Sequence, residues 1–184
     1  MKQFSKVFIF LLSLALTISA QTPAAPPPEQ VTYFLGEVKI SSPTGQPYGS
    51  TVSLIKRTLT PAENKIVELV LSIEAKGAPL EFTTVFTVKD SKFTVRDEEK
   101  TFEGEGELTG KPWNWTGWKY QVNIIGARKG VVKAEDILTE TGITVKKAFY
   151  TPDGQLRVIF SEDLKPISKE MYDLLHASLQ KPAR

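Results

Sequence analysis

The acidic run Glu103, Glu105 and Glu107 is the densest set of side chains able to do chemistry. A spacing of two puts three carboxylates in a row on one strand face, about 7 Å apart. With loop carbonyls such a row can hold Ca²⁺, and with a carboxylate across a cleft it can serve glycoside hydrolysis. The more ordinary expectation is a solvated outer face balanced by lysines on a neighbouring strand. Other chemistry is sparse. His176 is the only histidine and cysteine is absent, so no thiol nucleophile, thiolate metal site or multi-histidine zinc site can be built. No serine elbow accompanies the histidine, and no glycine loop precedes a helix N-terminus to cradle phosphate. Asn114-Trp115-Thr116 fits a glycosylation acceptor. No catalytic residue, metal or cofactor is therefore assigned.

The glutamates lie within Phe102 to Ile125, which also holds all three tryptophans. Period two places Phe102, Gly104, Gly106 and Leu108 on the opposite face from the glutamates. Glycine inside a strand marks a bend or a close approach by a bulky neighbour. Pro112 helps close a turn. The outgoing strand then carries Trp118, Tyr120, Val122 and Ile124 on one face and Trp113 and Trp115 on the other. Aromatic rings lying over Gly104 and Gly106 follow from this juxtaposition. They fit either core packing at a bent strand or the wall of a ligand cavity.

The flanking segments have the same period. Val31 to Ser41, Ser50 to Thr60, Lys65 to Ala75, Leu80 to Lys89, Lys92 to Asp97, Gly130 to Leu138, Gly142 to Tyr150 and Gln155 to Ser161 read as strands. Val67, Leu69, Leu71 and Ile73 are expected to face inward and Glu68 outward. Leu80, Phe82, Phe86 and Val88 share one face of their strand, and Phe93 and Val95 are expected inward. Thr151-Pro152-Asp153-Gly154 is a strong turn signal. Ser168 can cap a helix over Lys169 to Leu179, with Met171, Leu174, Leu175 and Leu179 on its apolar side. The fold class is thus all-β: an antiparallel up-and-down meander of about ten strands, forming a barrel or strongly curved sheet, with a short C-terminal α-helix.

The ends of the chain imply export. Lys2 and Lys6, the apolar run Val7 to Ile18 and the small residues ending at Ala20 have the physics of a signal peptide spanning residues 1–20. The apolar run is short of the roughly 20 residues that cross a bilayer, so no stable membrane insertion is expected after cleavage. Residues 21–30 form a Pro/Ala-rich tether, and residues 31–184 a single domain. The whole chain has 23 basic and 21 acidic residues. Losing Lys2 and Lys6 leaves 21 of each, which does not favour nucleic acid as a partner. A secreted or periplasmic location follows.

The Gly-rich strand Phe102 to Gly110, the Trp-bearing strand Trp113 to Ile124 and the closing strands Gly142 to Phe160 resemble the lipocalin-like, or calycin, group of small exported bacterial proteins. Where true lipocalin barrels carry Gly-X-Trp, the first strand here has Gly36-Glu37-Val38. The resemblance implies a small apolar ligand held in the barrel. Trp118, Tyr120, Phe82 and Phe86, with Gly104 and Gly106, are its candidate lining. Two other functions remain open on the residues alone. One is a structural or interaction protein of the cell envelope, with a filled core and Trp113 and Trp115 exposed as an adhesive patch. The other is a hydrolase using the glutamates.

Overall fold

The computed structural model describes residues 25–74, 79–125 and 129–179. The expected signal peptide, the first part of the tether and the turn at 76–78 lie outside the described residues. Residues 25–29 are exposed and have no regular structure.

Ten antiparallel strands follow: β1 (Gln30–Ser41), β2 (Pro47–Thr60), β3 (Lys65–Glu74), β4 (Leu80–Lys89), β5 (Lys92–Asp97), β6 (Phe102–Lys111), β7 (Asn114–Ile124), β8 (Gly130–Thr139), β9 (Gly142–Tyr150) and β10 (Leu156–Ile167). Each pairs with its neighbours in sequence, and β1 pairs with β10 from Tyr33↔Ile167 to Ser41↔Ile159, so the meander closes into a barrel. Closure removes both sheet edges. The open alternative, a strongly curved sheet, is set aside by this seam.

Turn chemistry accounts for the short links. Asp90 takes a left-handed φ of 59° between β4 and β5, and Gly154 takes 82° in the turn before β10. Between β6 and β7 the left-handed residue is Trp113 (φ 62°), so it belongs to the turn and not to the outgoing strand. Asp97 accepts hydrogen bonds from the backbone N–H groups of Thr101 (2.7 Å) and Phe102 (3.1 Å), holding the β5–β6 connection.

The barrel has two apolar clusters inside and one outside. Ile66, Phe86, Val88, Phe93, Val95, Leu108, Trp115, Trp118 and Val122 form the first interior cluster. Phe34, Ile55, Val70, Ile143, Val145 and Leu164 form the second. On the outer face of β1–β3, helix α1 (Lys169–Leu179) covers Leu54, Leu71, Tyr33, Leu35 and Ile73. Ser168 caps α1 by accepting from the Met171 N–H at 3.2 Å. Tyr172 is the buried anchor, its ring 4.9 Å from that of Tyr33.

Three expectations are corrected here. On β3 the inward residues are Ile66, Glu68 and Val70, while Leu71 and Ile73 face α1. Both faces of this strand are covered, so its alternation could not reveal which is inside. On α1 the buried stripe is Tyr172, Leu175 and Leu179, leaving Met171 (48%) and Leu174 (67%) exposed. On β7 the register slips, with Thr109 opposite Gly117 and Gly110 opposite Trp115. This one-residue bulge returns Trp115 to the inner face beside Trp118. Trp113 packs half-buried against the same cluster, so the two residues form no exposed adhesive patch.

Candidate functional site

Consecutive residues of a strand point to opposite faces. Wherever two charges are adjacent in a closed barrel, one must therefore enter it. Such pairs include Lys56-Arg57 in β2, Glu135-Asp136 in β8, Lys146-Lys147 in β9 and Glu162-Asp163 in β10. In each, the second or first member dictated by register points inward: Arg57, Asp136, Lys147 and Glu162. Glu68 of β3 joins them. These five side chains form a polar belt between the two interior apolar clusters.

The belt is held by ion pairs. Arg57 donates from Nε to Glu68 Oε1 at 2.5 Å, and its Nη2 lies 2.5 Å from the same oxygen. Lys147 Nζ donates to Glu162 Oε1 at 2.6 Å. Arg57 also spans the barrel. β2 and β7 are five places apart in a ring of ten, yet the Arg57 guanidinium carbon sits 4.2 Å from the Trp118 ring centroid and 5.4 Å from that of Phe34. A desolvated cation over an indole contributes about 2 kcal/mol, so this contact braces opposite walls.

Asp136 is different. Its Oδ2 accepts the indole N–H of Trp118, but its Oδ1 is buried with no hydrogen-bond partner. The residue is 6% exposed. Burial pushes its pKa up from 3.8 to about 7. Glu68 adds to the rise, while Lys147, Arg57 and the Trp118 hydrogen bond oppose it. For Lys147, burial works against the ammonium, but Glu162 and Asp136 outweigh it and hold the pKa above the usual lysine value. Burial raises the Tyr120 phenol well above its ordinary range, and the charges of Asp136, Glu68 and Glu162 raise it further. The belt thus contains two cations and three carboxylates, and Asp136 is the carboxylate without a cation of its own.

The interior is not packed evenly. Lys147 points inward yet keeps 32% of its side chain accessible, against 6% for its partner Glu162. Toward the end of the barrel carrying the β7–β8 and β9–β10 turns, the inward Tyr120, Val132, Phe149 and Phe160 are likewise only half-buried. Register sets them side by side, as Tyr120↔Ala134↔Lys147↔Phe160 and Val132↔Phe149. The inward surface left accessible here is apolar apart from the Lys147 ammonium.

The candidate lining residues can now be placed. Trp118 and Tyr120 lie on the inner face of β7, and Phe82 and Phe86 on that of β4. Phe86, Phe93 and Tyr120 form an edge-to-face trio with centroids 5.4 to 6.2 Å apart. Phe82 packs instead with the second cluster. Gly104 and Gly106 face inward opposite Val122 and Tyr120. A Cβ on Gly106 would stand 2.5 Å from Phe93 Cζ and 2.5 Å from Tyr120 Cβ, so aromatic groups do lie over this glycine. The belt residues escaped notice in the sequence, although the adjacent charges within strands are a signal that was there to be read.

The glutamates sit elsewhere. Glu103, Glu105 and Glu107 are exposed on the outer face of β6. Glu107 stands opposite Lys92 and Lys119, and Glu103 opposite Arg96 and Asn123. They line an open outer depression of about 1520 Å³ that also carries Lys89, Lys133 and Lys146. His176 lies on α1, stacked on Tyr172 and 2.9 Å from Glu81 Oε2. Asn114 is exposed at the start of β7. Among the described residues no group of His, Asp and Glu comes together as a metal site, and no helix is long and apolar enough to cross a membrane.

The fold and site define a closed ten-stranded meander barrel with a charged belt inside. Compared with models of known protein families and with curated proteins, the chain matches none.

Proposed function

We propose that this chain is an exported, non-enzymatic carrier or sensor of the lipocalin-like type, holding a small ligand with an apolar body inside its barrel. The observation that carries the reading is the incompletely buried inward surface at one end of the barrel. Phe149, Phe160, Val132 and Tyr120 face the interior without being fully buried, and Lys147 keeps accessible surface beside them. Small-molecule sites are largely apolar with a few placed polar groups, and this end of the barrel has that make-up. Export rests on the basic, apolar and small-residue order of residues 1–20. The outward, lysine-faced glutamates favour a binding role over hydrolysis.

One observation favours a second reading, an envelope protein with a filled core. The Phe86, Phe93 and Tyr120 rings pack edge to face against one another, filling the interior beside the first cluster.

Tryptophan fluorescence separates the two. Titrating residues 21–184 with a polarity-sensitive apolar probe and a panel of fatty acids is expected to give a saturable shift that is lost in Trp118→Phe, with the far-UV circular dichroism unchanged. No response, with the tryptophans shielded from acrylamide, would establish the filled core instead.

A further inference from the structure

We propose that Asp136 is the anchor for a ligand cation, and that the ligand is a protonated primary or secondary amine on an apolar body. This deepens the ligand-carrier reading and rests on it. Asp136 Oδ1 is a fully buried acceptor with no partner. Such an atom is rare in a folded protein, because leaving it unsatisfied costs about 1–3 kcal/mol. A carboxylate oxygen can be completed only by a donor.

Charge selects which donor. Every belt cation already has a carboxylate, Arg57 with Glu68 and Lys147 with Glu162. When Asp136 is ionised, the belt carries one negative charge in excess. A ligand ammonium supplies the missing hydrogen-bond donor and the missing charge together. A ligand hydroxyl supplies only the first, and a ligand carboxylate supplies neither. The location also fits. Asp136 lies two inward positions beyond Val132 along β8, with Ala134 between them, and Ala134 pairs with Lys147. An apolar body lying among Val132, Phe149 and Phe160 thus has its polar end within reach of the belt.

Protonation ties in. Around Asp136 stand Lys147 and Arg57 as cations, Glu68 and Glu162 as carboxylates, and the Trp118 N–H and Tyr120 phenol. With its pKa pushed up to about 7, Asp136 is partly protonated near neutral pH. A bound ammonium favours the ionised carboxylate, so binding expels that proton, and affinity rises with pH until the ligand amine itself deprotonates.

The test uses decylamine, decanol and decanoic acid below their aggregation limits, against residues 21–184 and the Asp136→Asn variant. Trp118 fluorescence reports occupancy, and calorimetry in two buffers of different ionisation enthalpy reports protons. Decylamine is expected to bind at least tenfold more tightly than decanol and to release a fraction of a proton at pH 7. Asp136→Asn is expected to bind decylamine no more tightly than decanol and to lose the proton release. If decanol or decanoic acid binds as tightly as the amine, or the preference survives in Asp136→Asn, the cation anchor is wrong while the carrier reading stands. If none of the three binds, both are wrong.

Discussion

Asp136→Asn should make the unliganded barrel more stable, and increasingly so as pH rises. The carboxyl is buried with Oδ1 unpartnered, and burial raises its pKa from 3.8 to about 7. A raised carboxyl pKa means the folded chain holds the proton more tightly than the unfolded chain. Below pH 3.8 both states are protonated and the group has no effect. Between 3.8 and about 7 the unfolded state loses its proton first, and stability falls by up to 1.36 kcal/mol per pH unit. Above pH 7 the loss levels off at about 4 kcal/mol. Asparagine keeps an acceptor for the Trp118 N–H and removes the titration. Its amide nitrogen, placed where Oδ1 was, adds an offset that does not vary with pH. Urea unfolding of both proteins from pH 4 to 9 isolates the effect, because all shared groups cancel in the difference. The variant's relative stability should climb through pH 4–7 and flatten above it. A difference that is flat across this range would refute the reasoning, and would mean that Asp136 is solvated or paired in the folded protein.

Two further outcomes follow from the interior. Gly106→Ala places a Cβ 2.5 Å from the Lys119 carbonyl oxygen, Phe93 Cζ and Tyr120 Cβ, and should cost about 1–3 kcal/mol in urea unfolding. Arg57→Met strands the buried Glu68 and should cost about 3–5 kcal/mol, whereas Arg57→Met with Glu68→Gln should recover much of it; a double-mutant cycle with no coupling would show that the pair is not buried.

The strands and turns were legible because their signals are local. β4, β5, β9 and α1 run over the residues that alternation and turn chemistry mark, and the 151–154 turn forms as Pro and Gly require. What escaped depends on contacts between distant residues. β10 continues from Ser161 to Ile167 through Glu162, Asp163, Lys165 and Pro166. That stretch looks like a loop until Lys147 neutralises Glu162 and β1 pairs along it. The facing of β3 was hidden because α1 covers its outer side. Trp115 was misplaced because a single-residue bulge inverts every parity before it. The candidate lining residues do lie on the inner face, but the belt that gives the site its chemistry was concealed among charges that look like ordinary surface.

The seam between β1 and β10 has a consequence in time. Tyr33 pairs with Ile167 and Ser41 with Ile159, so the first strand is matched by the last. Such pairing from opposite ends of the chain gives a high contact order, and folding on the millisecond-to-second scale. During synthesis β1 can pair with β2, but its other edge stays open until the last strand emerges. Lys147 likewise waits for Glu162 on that same strand. A nascent chain cut short before β10 has neither closure nor charge balance. The barrel therefore matures as a whole-chain event, and a chain in transit through a narrow pore would stay unlocked until its C-terminal end arrives.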